Sequence, residues 1–565
     1  MAFPSPPPPM DPTPIDELDR RLAALTEARP RWVALSAAER AKLLRRCMDT
    51  TLAVADAWTA TACKLKGYAE GSNGHGEEYL GGTLAVMRNL RLFAEALEAG
   101  GEPKLPATWQ RPDGQWVAKV FPQSMLDAAL YGGVSCEVWI EPGENPTQGH
   151  IYREKRAGNG GDGGVCVVLG AGNQSSIPPM DVLYKLVVDD EVCILKMNPV
   201  NEQLGPHIEA ALQPLVDAGF VSVVYGGIEQ GKHLTDHPQV TSIHITGSDR
   251  AHDAIIWGPG DEGAARKEQG TPRIDKDITS ELGCVSPVLV VPGAWSPKEL
   301  DYQAQQVASM LAYNCGFNCN GARIIVLAED WPQRAEFVRL VEEKLAATPT
   351  RKAYYPTAQA TWERFTGKYP NHKTLGSSAD GALPWTILQD VSTEDGEYAL
   401  ANEPWCGIFS FVTLPAKDAA DYLVKAVPFA NDSCWGTLSV NVLVHPKTEK
   451  ELGDAFDQAI ADLRYGAIGI NCWTGLNYGL VNATWGAFPG HPLDDIESGQ
   501  GVVHNGLLLD HPQKSVVRVP FVMNPKPAWF TNHQNNLALG RKMTAFEGSP
   551  GWLKVPGVAL TALKG

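Results

Sequence analysis

Over residues 15–67 the apolar positions recur at steps of three and four: Leu18, Leu22, Leu25, Trp32, Leu35, Leu43, Leu44, Met48, Leu52 and Trp58. That spacing keeps one face of a 3.6-residue turn apolar and predicts helices. Ser36 with Glu39 three residues later is a capping box, which sets a helix start there. A second helical stretch is expected over about 77–98. Nothing in these segments demands chemistry, and they read as scaffold. Residues 115–156 change character. Gln115-Trp116-Val117-Ala118-Lys119-Val120-Phe121, Glu137-Val138-Trp139-Ile140 and His150-Ile151-Tyr152-Arg153-Glu154 read as strands around Gly/Pro turns, an extended hairpin of the kind that makes subunit contacts.

A βα series follows. Short apolar runs at 165–169, 192–196, 221–225 and 240–245 are buried strands, with helices expected at 177–188 and 203–218 between them. Strands alternating with helices imply a parallel sheet, which binds ligands beyond the carboxyl ends of its strands. The loops there are Gly170-Ala171-Gly172-Asn173, Lys196-Met197-Asn198-Pro199 and Thr246-Gly247-Ser248. A second unit begins after Glu281-Leu282-Gly283: a strand at 288–291, a helix at 297–312, a strand at 323–327 and a helix at 332–346. Residues 350–395 read as irregular, and late strands are expected near 436–442, 468–473 and 514–519. There is no internal repeat.

Composition narrows the partners. With 565 residues, 44% hydrophobic and 20% charged, the chain is long enough for two or more cored domains. A formal charge of −17 argues against nucleic acid and anionic membrane, and points to a small-molecule partner. Eleven cysteines without paired close spacings make neither a disulfide framework nor a zinc site, so no metal is expected and a reduced, cytoplasmic protein is. Met1 to Pro14, proline-rich and without the regions of a secretory signal, reads as a disordered leader. No run of about 18 apolar residues suggests a membrane helix.

The candidate chemistry lies in Asn314-Cys315-Gly316-Phe317-Asn318-Cys319-Asn320-Gly321-Ala322-Arg323, which runs from a helix into a strand. A cysteine after a Gly-containing turn, among small polar residues whose N–H groups can face a ligand, is where a nucleophilic thiolate is placed. Cys319 is the candidate and Cys315 its rival.

Glu281-Leu282-Gly283 with Ser286-Pro287, then Asn314-x-Gly316-x-x-Cys319, then Ala430-Asn431-Asp432-Ser433 together resemble the aldehyde dehydrogenase superfamily. The late segment Ala483-Thr484-Trp485-Gly486-Ala487-Phe488-Pro489-Gly490 with Ser498-Gly499 resembles the family's Pro-Phe-Gly-Gly…Ser-Gly block, and the likeness spans about 15–521. The resemblance implies an α/β fold with a Rossmann-type cofactor domain (1–114 and 157–283), an α/β catalytic domain (284–504) and a small β oligomerisation arm with a C-terminal tail (115–156 and 505–565). It implies Cys319 as nucleophile, Asn173 as oxyanion donor and Glu281 as general base. Cofactor contacts are implied for Lys196, Gly247, Ser248, Glu403, Gly172 and Leu282, with NAD or NADP as the cofactor. An aldehyde substrate and a homodimer or homotetramer follow from the same likeness.

A thiol of pKa ~8.5 adds to an aldehyde carbonyl to give a thiohemiacetal whose oxygen takes up negative charge. Donors aimed at that oxygen, the Cys319 N–H and the Asn173 amide, are each worth roughly 10²–10³ in rate. Loss of hydride leaves a thioester, and its hydrolysis needs a base that is not the nucleophile, the part Glu281 fits. Departures from the family pattern fall at Phe317, where Gln is usual, at His252, in place of the second glycine of the dinucleotide loop, and at Pro199, where an acidic residue usually holds a ribose hydroxyl and Glu202 is the alternative. Phe317, Trp405, Trp435, Trp473 and Trp485 are candidates for an aromatic channel that suits bulky aldehydes. Two other readings stay open: a CoA-acylating relative, in which the glutamate is often missing, and a catalytically silent member with a structural role. Trp529, Phe530 and Trp552 in the tail are candidates for a subunit contact.

Overall fold

The computed structural model describes residues 6–565. Two sheets organise it. The smaller has six strands in the order Gly499–Gln500, Asp277–Glu281, Ser242–Thr246, Gly164–Leu169, Glu191–Lys196, Val221–Val224, all parallel except the first. Its central strands are buried on both faces, which is why they read as unbroken apolar runs. The larger sheet has eleven strands. Its parallel core runs Pro512–Arg518, Ala467–Ile470, Ser439–Leu443, Ser286–Val290, Ala322–Ala328, Ile408–Leu414 and Trp385–Leu388. Lys373–Leu375 closes one end, and the antiparallel arm of Ser135–Ile140, Trp116–Phe121 and Ala107–Gln110 closes the other. This is the expected α/β architecture with parallel sheets.

Several local expectations change. Residues 150–154 begin a helix, His150–Ala157, because Gly149 and Gly158 in left-handed conformation cap both ends and Tyr152 turns inward to bond the Val187 carbonyl at 2.6 Å. The stretch 350–395 contains the helix Ala358–Lys368, anchored by its own buried Phe365, and two strands. The helix expected at 203–218 breaks into Gly205–Ala211 and Gln213–Asp217, where Pro214 withholds an N–H. The arm begins at Ala107, earlier than the turn signals suggested, since Ala107–Gln110 pairs with Trp116–Phe121. Of the segment read as a disordered leader, residues 1–5 lie outside the described residues. The rest is docked: Met10 N–H reaches Glu202 Oε1 at 3.0 Å, Gln203 reaches the Pro8 carbonyl, and Thr13 is buried against Tyr225. The capping box at Ser36 forms as expected and opens the helix Ala37–Lys66.

The tail folds back on its own chain. Helix Asn536–Gly548 packs on Leu84–Glu98, and the fully buried Glu547 receives Arg88 at 2.8 Å and Arg91 at 2.7 Å. Phe530 is buried against Tyr302, with ring centroids 5.0 Å apart, whereas Trp552 and Leu553 stand in solvent. Among the described residues, no helix is long and apolar enough to cross a membrane.

Candidate active site

The two sheets meet at the loop that follows helix Pro297–Ala312. Three consecutive residues there are left-handed: Asn314 at φ 50°, Cys315 at 59° and Gly316 at 81°. Non-glycine residues pay for that conformation, so the surroundings must hold it. Asn314 N–H donates to Glu77 Oε2 at 2.9 Å, and its side-chain Oδ1 takes Lys66 Nζ at 2.9 Å. Lys66 also bonds Glu78 at 2.6 Å, and Arg351 grips both oxygens of Glu77 at 2.6 and 2.8 Å. Arg323, buried at the start of its strand, clamps the loop from below through the carbonyls of Gly316 and Cys406, each at 2.6 Å, and Asn318 at 3.2 Å. Gly316 has no room for a side chain, because a Cβ would meet the Cys406–Gly407 backbone.

Cys319 emerges from this frame half-buried. Its thiol donates to Glu281 Oε1 at 3.2 Å, at the end of the strand Asp277–Glu281. Glu281 is 3% exposed and its Oε2 has no partner. Burial, reinforced by the charge of Asp181 and only partly offset by the Trp485 indole and the thiol, raises Glu281 to about 7. The Cys319 thiol is pushed well above its ordinary value, by burial first and then by the neighbouring carboxylate. The resting pair is therefore neutral thiol beside a carboxyl poised at neutral pH, the ionisation suited to a general base.

Asn173 lies on the same loop from the other side. Its Nδ2 donates to the Phe317 carbonyl at 3.2 Å, and its own carbonyl accepts from Asn314 Nδ2 at 3.2 Å. The turn's backbone hydrogen bonds run from Phe317 N–H to Asn314 and from Gly321 N–H to Asn318, leaving the Cys319 N–H outside them. Cys319, Glu281 and Asn173, far apart in sequence, thus share one locus. Cys315 does not compete: it is buried, its thiol faces the Arg351 carbonyl at 3.5 Å, and burial pushes it up to about 12.

The residues expected to face the dinucleotide lie mostly at strand ends, with Glu403 in the loop after Tyr398–Ala401. Ser248 caps the helix Asp249–Ile256 by accepting from Ala251 N–H at 3.2 Å, and Gly247 N–H bonds the Glu281 carbonyl at 3.0 Å. Lys196 is buried with one weak contact, to the Met197 carbonyl at 3.4 Å, and burial lowers its pKa. A Cβ at Gly172 would collide with the Tyr355 hydroxyl, Val200 and Asn198. Leu282 is buried, its N–H taken by the Ser498 carbonyl at 2.8 Å. Glu403 lies over Gly283, with its Oε1 buried and unpartnered, and burial, countered in part by Arg323, raises it to about 8. An isolated buried ammonium, an orphan carboxylate oxygen and a capped helix start at strand ends fit a nicotinamide dinucleotide. His252 does not line that loop: it is fully buried in the helix that follows. Pro199 leaves no acid at its position, and Glu202 spends Oε1 on the Met10 N–H.

Sequence reasoning missed the cage around the loop. Lys66, Glu77 and Glu78 belong to segments read as scaffold, and Arg351 to one read as irregular. The available signal was the buried-looking charge pair in Glu77-Glu78 amid small and apolar residues. The proposed aromatic channel also sorts differently. Trp473 and Trp485 are core residues, the former holding the Asn320 carbonyl at 2.8 Å. Phe317 packs with Tyr354, Tyr355 and Trp405, at centroid distances of 4.8, 5.1 and 6.4 Å.

The chain is similar to known proteins in part of its sequence and in its fold. The aldehyde dehydrogenase family profile matches residues 166–360. An aldehyde dehydrogenase of Enchytraeus buchholzi is 31% identical over 129 residues, a segment that spans 22% of this chain and 22% of that relative's length. The NAD-dependent aldehyde dehydrogenase of Sinorhizobium meliloti superposes over 93% of this chain and 92% of its own, with a TM-score of 0.61 at 17% identity. The NADP-dependent glyceraldehyde-3-phosphate dehydrogenase of Bacillus halodurans, solved with NADP, superposes over 89% and 91%, with a TM-score of 0.60 at 16% identity. The family profile thus covers residues 166–360, and over nearly its whole length the chain has the fold of aldehyde dehydrogenases.

Proposed function

We propose that the chain is an NAD(P)-dependent oxidoreductase that converts an aldehyde to a carboxylic acid through a thioester on Cys319. The observation that carries this reading is the Cys319 thiol 3.2 Å from a buried carboxyl raised to about 7. Glu281 draws the proton from the thiol as sulfur adds to the carbonyl, and the Cys319 N–H and an Asn173 amide hydrogen receive the oxyanion. A nicotinamide dinucleotide held by Lys196, Gly247, Ser248, Glu403, Gly172 and Leu282 would accept the hydride. Once it has released that first proton, Glu281 takes another from the water that attacks the thioester. Relatives similar in fold include one named NAD-dependent and one solved with NADP, which supports either form of the cofactor.

The arm supports assembly as a homodimer or homotetramer. All four residues of its edge strand Ala107–Gln110 are exposed, leaving a row of backbone groups free to pair. Division of labour follows the sheets, with cofactor binding on the six-stranded one and the nucleophile on the eleven-stranded one.

The test is NAD(P)H formation over short, long and aromatic aldehydes, with each cofactor, with and without CoA, beside Cys319→Ser. Turnover independent of CoA and lost in the variant is expected. Turnover that requires CoA would assign the chain to the acylating relatives, and none with any pair would make it a silent member.

A further inference from the structure

At the outer edge of the six-stranded sheet, three side chains that the scheme above does not use converge on one point. His233 lies on the helix Ile228–Asp236, His237 is the residue that ends it, and Asp19 faces them from the helix Ile15–Ala34. Both imidazoles present Nε2 to the same carboxylate oxygen: His233 at 2.6 Å and His237 at 3.6 Å from Asp19 Oδ1. The two ring centroids are 5.6 Å apart, and the three donor atoms all lie within 4.8 Å of one another. The four-residue step between the histidines explains their pairing, since side chains at i and i+4 share one face of a helix. Asp19 is 214 residues from His233 in the chain, so no spacing motif marks the group.

A hydrogen bond to Asp19 would occupy only one of these rings. Two imidazole nitrogens and a carboxylate oxygen turned toward a common centre are the donor set of a borderline divalent ion, zinc above all, and not of calcium or magnesium, which take oxygen ligands. Metal–ligand bonds of about 2.0–2.2 Å in a tetrahedral shell hold ligand atoms roughly 3.3–3.6 Å apart. His237 already has that spacing from Asp19, and the half-exposed Asp19 has room to draw back from His233. Three protein donors leave the fourth position to water. The groups packed around the site set its cost. Lys276 Nζ holds the Thr235 and His237 carbonyls at 2.6 and 2.7 Å, which places a positive charge nearby. Gln239 N–H donates to His237 Nδ1 at 3.3 Å, a contact given up when the ring proton moves there. That bond is long, and the formal charge of −17 draws cations to the surface as a whole.

The geometry points to a zinc-class site formed by Asp19, His233 and His237, which clips the helix Ile15–Ala34 to the helix that flanks Lys196. The clipped helix enters through Gly226-Gly227, the first at φ 131°, and passes Lys196 so closely that a Cβ on Gly231 would lie 3.6 Å from Cε. The helix Ile15–Ala34 is itself anchored to the sheet, where Arg21 bonds the Val223 carbonyl at 2.9 Å. An ion at the far end of Ile228–Asp236 therefore fixes that helix beside Lys196, and binding of a dinucleotide there is coupled to binding of the ion. The ion site stands on its own three donors, whereas the coupling rests on Lys196 as a cofactor contact in the proposed reaction. No step of that reaction runs through the ion.

The test is titration of the metal-free full chain with Zn²⁺ by calorimetry and with Co²⁺ by visible absorption, beside a double variant carrying His233→Ala and His237→Ala. A single Zn²⁺ per chain should bind to the wild type at this site, and the double variant should hold it at least about a hundredfold more weakly. Asp19→Asn, which keeps the shape and removes the charge, should weaken binding about tenfold. Co²⁺ in the site should show ligand-field bands without the charge-transfer absorption that a thiolate adds, which separates it from binding at the eleven cysteines. Equal affinity in wild type and double variant, or binding through thiolate alone, would overturn the site. For the coupling, saturating Zn²⁺ should tighten binding of NADH or NADPH, followed by nicotinamide fluorescence, about fivefold in the wild type and leave the double variant unchanged. If Zn²⁺ binds and dinucleotide affinity does not move, the coupling fails and the site stands. If neither dinucleotide binds with or without Zn²⁺, it is the reading of Lys196 that fails.

Discussion

Glu281 and Glu547 are both buried glutamates, and their surroundings could hardly differ more. Glu547 meets Arg88 and Arg91 through separate oxygens, and Arg91 is shared with Glu95 at 2.9 Å. Glu281 has one thiol and the Trp485 indole beside it, and no cation among its described contacts. A buried charge that is fully paired fixes one element against another. A buried carboxyl left underpaired shifts its pKa toward neutrality and becomes available for proton transfer. The cage at Asn314 belongs to the first kind: Lys66, Glu78, Glu77 and Arg351 neutralise one another and hold the turn before Cys319 in a strained conformation.

Substitutions at the two places should separate cleanly. Cys319→Ser has the largest expected effect, a loss of roughly 10⁴-fold or more in NAD(P)H formation, because the nucleophile acts as a unit with its base; residual turnover near wild type would put the nucleophile elsewhere. Glu281→Gln is expected to slow hydrolysis by roughly 10²–10⁴ and to leave acyl-enzyme on Cys319, visible as added mass in the intact protein. For the wild type, the base works only when ionised and its pKa is raised to about 7, so activity should rise with pH through that value and fall below it.

At the other glutamate the effect should be on stability. Glu547→Ala takes their buried carboxylate from Arg88 and Arg91, leaving Arg91 with Glu95 and Arg88 with Asp127 at 3.6 Å, and is expected to cost about 3 kcal/mol in denaturant unfolding; the activity of the folded fraction should be unchanged. If stability held and activity fell, the contrast between the two glutamates would be wrong. The smallest change is Ser36→Ala, which removes the cap of Ala37–Lys66 and should cost about 1 kcal/mol with kinetics untouched.

The legible parts were those set by local pattern. Apolar runs bounded by Gly and Pro located most of the parallel strands, though not Asp277–Glu281, Trp385–Leu388 or Ile408–Leu414; the helix at Pro297–Ala312 came out at its expected bounds, and Ser36 with Glu39 marked a helix start that forms. The turn proposed to carry the nucleophile stood out because glycine spacing and small polar neighbours are local properties. Misread segments share a cause. His150–Ala157 carries too few residues for its period to be told from alternation, and its helical state depends on Tyr152 finding the Val187 carbonyl across the domain. Pro8 to Pro14 looks disordered by composition, yet hydrogen bonds to Glu202, Gln203 and Tyr225 fix it in place.

Sequence by itself thus determined the class of fold, the alternation of strands and helices over 164–246, and a cysteine, a glutamate and an asparagine suited to acyl chemistry. Only the tertiary structure decided that the three meet, that Cys315 is sealed away, and that Lys66, Glu77 and Arg351 brace the turn. It also decided the ionisation of Glu281. Periodicity and turn chemistry act over a few residues and are written in the chain, whereas burial and the position of a neighbouring charge exist only once segments about a hundred residues or more apart, such as those of Asp181 and Glu281, have packed together.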